Sequence, residues 1–123
     1  MNLNRILSAA VAAASLAVVG AAAAHGPGGT VGPEVAAAIP DIPGKSLIAG
    51  EVLYPPGGGS PPHAHAKSSF IYAYVVSGSV VSKVNDEPER VYKAGESFHE
   101  APGSRHPVSR NASKAHPAKL RAV

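Results

Sequence analysis

His63 and His65 stand two residues apart, directly after the run Pro55-Pro56-Gly57-Gly58-Gly59-Ser60-Pro61-Pro62. On an extended chain, residues i and i+2 face the same way, so the two imidazoles converge on one point. Neutral imidazole nitrogen is a ready ligand for borderline divalent ions such as zinc, iron, nickel, copper or manganese, and the pair offers two ligands with little strain. Two solvated surface histidines is the other reading of a lone His-x-His. Four further histidines lie along the chain. His25 would chelate copper through its amine and ring if processing made it the first residue, but no partner for it is evident. His116 precedes Pro117 in a polar turn and is expected in solvent. His99 and His106 depend on the elements that carry them.

Those elements are short strands. The two proline pairs before His63 forbid a regular ladder and demand a loop. The strand-like stretch Ser46–Tyr54 leads into that loop, and residues 69–76, dense in aromatic and β-branched side chains, form the strongest strand signal. Ser77-Gly78 turns that strand into a hairpin partner over residues 80–84. Further strands are expected over residues 90–92, from Gly95 up to a break at Pro102-Gly103, over 106–110 and over 119–123. Strands recurring every eight to twelve residues or so, with no helical stripe after the N-terminal segment, predict an all-β domain. Residues 25–44, with four prolines and no sustained period, read as an extended Pro/Gly-rich arm. Tyr72 and Tyr74 share the face opposite Ile71, Ala73 and Val75, as packing residues or as an interface stripe.

In this frame the sequence resembles the cupin superfamily. Its first motif, a glycine, then His-x-His, then a closing glycine, appears as Gly57-Gly58-Gly59-Ser60-Pro61-Pro62-His63-Ala64-His65 ending at Gly78. Its second appears as Gly95-Glu96-Ser97-Phe98-His99-Glu100-Ala101-Pro102-Gly103-Ser104-Arg105-His106, with Asn111 beyond. The resemblance spans roughly residues 46–123. It implies a single small jelly-roll β-barrel over residues 45–123, in which His63, His65 and His106 face the interior and hold one divalent metal ion near the mouth. One departure stands out. The family's glutamate would fall at Ser69 or Phe70, counted from the second histidine, or at Ile71, counted back from Gly78, and none of these can ligate. That leaves either a three-histidine site like that of thiol dioxygenases or a site completed from elsewhere. Glu100 is the candidate for completing it, because with Phe98 in the core the alternation of the strand points Glu100 inward, as fourth ligand or general base. An exposed residue at the strand end is the other reading of Glu100, and a register shift of one would exchange it with His99.

Length, charge and the N-terminus bound the rest. Met1 to Arg5 carry one positive charge, residues 6–20 are an apolar run, and residues 21–24 are all alanine. This is the pattern of a secretory signal peptide, and the run is short against the roughly 20 strongly apolar residues of a spanning helix. Cleavage after Ala24 would leave 123 − 24 = 99 residues and, with Arg5 lost, a net charge of 10 − 8 = +2. The expected location is periplasmic or secreted, with no membrane attachment after cleavage. Scattered charges of both signs give no basic stripe, so nucleic-acid binding is not expected. There are no cysteines to staple a small exported domain.

Three function classes stay open: a metal-dependent, dioxygenase-like oxidoreductase acting on a small organic substrate, with Glu100 as base; a non-catalytic module that binds a small ligand or the metal itself; and a relic with an empty site, against which the three histidines speak. Asn111-Ala112-Ser113 matches a glycosylation acceptor but reads better as a turn-capping asparagine. The sequence ends at Val123 inside a strand begun near Lys119, which predicts a short or unpaired sheet edge there. A homodimer is therefore expected, one sheet face packing on its copy and the arm crossing between subunits, unless the chain is a truncated product.

Overall fold

The structure, a computed structural model, describes residues 28–123, so the expected signal peptide over residues 1–24 and His25 lie outside the described residues. Eleven β-strands and no helix make up this part: β1 (Thr30–Ala38), β2 (Ser46–Tyr54), β3 (Gly59–Ser60), β4 (His63–Ala64), β5 (Ile71–Ser77), β6 (Ser79–Lys83), β7 (Arg90–Lys93), β8 (Ser97–Glu100), β9 (Arg105–His106), β10 (Val108–Asn111) and β11 (Ala118–Ala122). They form a five-stranded sheet in the order β1-β2-β11-β5-β8, a four-stranded sheet in the order β3-β10-β6-β7, and a two-stranded ribbon β4-β9. All pairings are antiparallel.

Strand alternation builds the core between the two larger sheets. Val52 and Tyr54 of β2, Ala73 and Val75 of β5, Phe98 of β8, and Ala118 and Leu120 of β11 turn inward and meet Val80 of β6, with Val84 and Tyr92 packed against them. Tyr54 is almost fully buried, and its hydroxyl bonds the hydroxyls of Ser60 (2.7 Å) and Ser109 (2.8 Å), which satisfies it and ties β2 to β3 and β10. The β5–β6 reversal turns on Gly78 at φ 72°, packed so closely on the chain at Pro117 and Ala118 that a Cβ would stand 2.5 Å from the Pro117 carbonyl oxygen.

Three details differ from the sequence expectation. The strand expected over residues 106–110 is broken by Pro107, which sends β9 into the ribbon and β10 into the four-stranded sheet. Within the stretch read as an arm, Thr30–Ala38 forms a regular strand paired along its length with β2, with a register shift between Pro33 and Val35. The edge expected at the last strand is not there. β11 lies in the middle of its sheet, bonded to β2 on one side and β5 on the other. Asn111 is buried and acts as a clamp: its amide donates to the carbonyls of Tyr54, Pro55 and His116, and its side-chain oxygen accepts from the Ser113 amide.

Candidate metal centre

The ribbon brings His63 and His106 directly opposite one another, since they are the registered pair of β4 and β9. His65 follows one residue past β4, with its ring centroid 4.8 Å from that of His63 and 6.2 Å from that of His106. One ring nitrogen of each histidine lies within 4.8 Å of the others. From the neighbouring sheet, β8 delivers Glu100. Phe98 and Glu100 are buried while Ser97 and His99 are exposed. One carboxylate oxygen of Glu100 lies 2.9 Å from His65 Nε2 and the other 3.3 Å from His106 Nδ1. Three histidines thus converge, with the Glu100 carboxylate of β8 in contact with two of them. His99 lies on the opposite face of β8, stacked on Phe70, and His116 is exposed, so neither joins the site.

The state of these groups follows from their partners. His63 Nδ1 lies 2.8 Å from the Pro61 carbonyl, which can only accept, so Nδ1 carries the proton and Nε2 keeps its lone pair. His106 Nε2 lies 2.8 Å from the buried Ser82 hydroxyl. If that hydroxyl accepts, the lone pair of His106 is on Nδ1, facing Glu100. Burial pushes the His106 pKa down to about 4, with His63 and His65 adding to the effect, and burial followed by His63 lowers that of His65. Burial also raises Glu100 to about 7.

His65 Nε2 and Glu100 Oε2 are the telling atoms. Both are buried and neither makes a hydrogen bond, although they are in contact. A buried ring nitrogen and a buried carboxylate oxygen in contact without an aligned hydrogen bond are costly in a protein interior, and a cation between them relieves both. Three neutral imidazoles and one carboxylate are a donor set that borderline divalent ions accept. The residues present therefore fit a metal ion.

Residues 50–123 match the family model of the cupin domain. The chain belongs to the cupin family. No curated protein matches it. Among solved structures it is similar to a predicted oxalate decarboxylase from Thermotoga maritima (23% identity, TM-score 0.54, covering 61% of this chain and 62% of that one). It is also similar to an oxalate oxidase in complex with glycolate (22% identity, TM-score 0.59, 77% and 49%) and to the Drosophila melanogaster CENP-C cupin domain (14% identity, TM-score 0.54, 63% and 65%). The chain spans less than two thirds of each, and at these identities the likeness is one of fold.

Within this cupin, the departure in the first motif acquires a spatial meaning. Ile71, where counting back from Gly78 would put the family's glutamate, is the registered partner of Glu100 on β8. Registered residues of adjacent strands share a face, so the carboxylate reaches the same neighbourhood from the next strand. Sequence reasoning missed Ser82, the hydroxyl partner of His106. Its signal was a polar residue two positions from Val80 and from Val84, on the apolar side of β6.

Proposed function

We propose that this cupin holds one divalent metal ion on His63, His65 and His106, with Glu100 as the fourth ligand or as a base beside it, and acts as a dioxygenase-like oxidoreductase on a small organic substrate. The observation that carries the proposal is the contact of Glu100 with two of three clustered histidines, with His65 Nε2 and Glu100 Oε2 buried and unbonded. A redox-active ion bound there would supply Lewis acidity and one-electron chemistry. Around it, Pro61 and Ser82 fix the rings of His63 and His106. Glu100, in contact with His65 and His106, is placed to take a proton from a substrate hydroxyl or thiol. His63 and His65 are only partly buried, which leaves the approach on their side. The oxalate oxidase and predicted oxalate decarboxylase among its structural neighbours add small carboxylic acids to the substrate classes worth testing.

A second reading is a module that binds the metal or a small ligand without turnover. It is favoured by two hollows, of about 470 Å³ around Gly28 and Pro55 and about 280 Å³ around Gly57 and Arg110, whose linings hold no histidine, although the second reaches Pro61, the partner of His63.

Elemental analysis of the purified protein, followed by oxygen uptake with phenolic, thiol, diketone and dicarboxylic substrates, tests both. The expected result is about one redox-active metal per chain, lost in His63→Ala and in His106→Ala and retained in His116→Ala, with uptake on one substrate class. Zinc without uptake supports the binding module. Equal loss in all three variants would mean nonspecific chelation, and a protein that retains no metal would sink both readings.

A further inference from the structure

The ladder between β6 and β10 ends at the pair Lys83 and Val108. Pro107 has no N–H to continue it, and the chain before it belongs to β9 in the ribbon. The turn after β6 nevertheless keeps hold of β9. The Asn85 N–H donates to the Arg105 carbonyl at 2.8 Å, and the Asn85 side-chain oxygen accepts from the Arg105 N–H at 2.9 Å. One asparagine thus engages both backbone polar groups of Arg105, its amide oxygen standing where a strand carbonyl would. Asn85 has φ 52°, a left-handed conformation that asparagine, aspartate and glycine adopt more readily than other residues. Asp86 of the same turn meets the Arg105 guanidinium at 2.9 Å, but both side chains are largely exposed and such a pair contributes little.

Arg105 and His106 are consecutive on β9, so their side chains alternate, Arg105 exposed and His106 buried. Fixing the backbone of Arg105 therefore fixes the base from which the His106 ring projects. The far end of that ring is held from the same strand, where the hydroxyl of buried Ser82 lies 2.8 Å from His106 Nε2. His106 Nδ1 lies 3.3 Å from Glu100 Oε1, longer than the roughly 2.7–2.9 Å of a charge-assisted hydrogen bond. The proton of the neutral ring is thus better placed on Nε2, donated to Ser82, and the lone pair on Nδ1 faces Glu100. His63 takes its ring partner from Pro61 on its own segment, whereas both holds on His106 come from a distant strand and its turn.

We infer that Ser82 and Asn85 are positioning residues for the metal centre: β6 and its turn grip His106 at ring and backbone, with Nδ1 turned to Glu100, so that this ligand is set before an ion arrives. A ring already fixed at both ends has no further freedom to lose when it ligates, whereas a released ring must be ordered at the expense of affinity. Removing an outer partner of a metal-binding histidine commonly weakens metal affinity by about 10–100-fold. The purpose of the grip rests on the metal-binding reading, but the grip itself needs no ion and can be measured without one.

Two measurements on the purified protein test it. In chelator, nitrogen-15 NMR of the imidazoles should find His106 protonated on Nε2 in the wild type and a mixture of tautomers in Ser82→Ala, and the Arg105 amide should lose its protection from hydrogen exchange in Asn85→Gly but not in Asp86→Ala. Zinc affinity, read by competition with a chromophoric chelator, should fall by about 10–100-fold in Ser82→Ala and in Asn85→Gly. Asn85→Asp and Ser82→Thr, which keep the side-chain oxygen, should restore it, and Asp86→Ala should match the wild type. Glycine keeps the backbone conformation of position 85, so the loss there reads the missing amide oxygen rather than strain. A His106 protonated on Nδ1 in the metal-free wild type overturns the inference. So does wild-type zinc affinity in Ser82→Ala and Asn85→Gly, or a loss that Asn85→Asp and Ser82→Thr fail to restore. The metal-free measurements judge the grip whether or not zinc binds, which separates its failure from that of the metal-binding reading.

Discussion

Glu100 and His106 are buried in contact, and their protonation pulls in opposite directions. Glu100 has its pKa raised from 4.5 to about 7 in the folded protein, so the native state holds a proton that the unfolded chain releases. Its contribution to stability is fully present below pH 4.5 and is lost as pH rises through 7. His106 has its pKa lowered from 6.5 to about 4, so the unfolded chain takes up the proton first. Its contribution is present above pH 6.5 and is lost as pH falls through 4. In Glu100→Gln only the histidine slope remains. The metal-free variant should therefore gain thermal stability relative to metal-free wild type between pH 5 and pH 8, by about 5 °C or more. Thermal melts in chelator at the two pH values check this, and a difference that does not change with pH would place Glu100 in solvent. At this scale the residue types and the two-residue periodicity of β8 already pointed Glu100 and Phe98 to one side. The contact of Glu100 with His65 could not be read, because thirty-five positions of chain separate them and only strand pairing across the sheet closes that gap.

At the scale of elements, the turns hold the hairpins to their register. Gly78 has φ 72° and no room for a Cβ against Pro117 and Ala118, whereas Gly95 has φ 90° with open space around it. Gly78→Ala should thus cost about 2–4 kcal/mol, combining backbone strain with displacement of the segment leading into β11, and Gly95→Ala about 1 kcal/mol. Urea unfolding of the two variants checks the ranking, and equal losses would show that the contact at Gly78 relaxes freely. Most strands were legible because glycine and proline cut the chain where ladders must stop: β2 matches its expected span, and β5 and β6 lie within a residue or two of theirs. The strand from Thr30 was not, because Gly32, Pro33 and its three closing alanines carry no alternation. It is a strand by virtue of its pairing with β2.

For the whole molecule, the N-terminal segment carries a separate expectation. Produced with residues 1–24 in a Gram-negative host, the protein should accumulate in the periplasmic fraction as a 99-residue chain (123 − 24) beginning at His25. Deletion of residues 1–24 should keep it in the cytoplasm. N-terminal sequencing and intact mass decide, and an uncleaved chain in the membrane fraction would make the segment an anchor. The sequence by itself determined what is local: the all-β class from strand spacing, the loops from Pro55-Pro56 and Pro102-Gly103, and the paired imidazoles of His63 and His65 from alternation. It determined the family too, through two motifs in order. Only the tertiary structure decided what depends on which strands become neighbours. β11, expected at an edge, is held between β2 and β5; Glu100 stands in register with Ile71 and against His65 and His106; and Ser82 meets His106. Side-chain alternation is a property of each strand alone, whereas adjacency in a sheet is chosen by long-range pairing, which competes over the whole chain and leaves no mark at any single position.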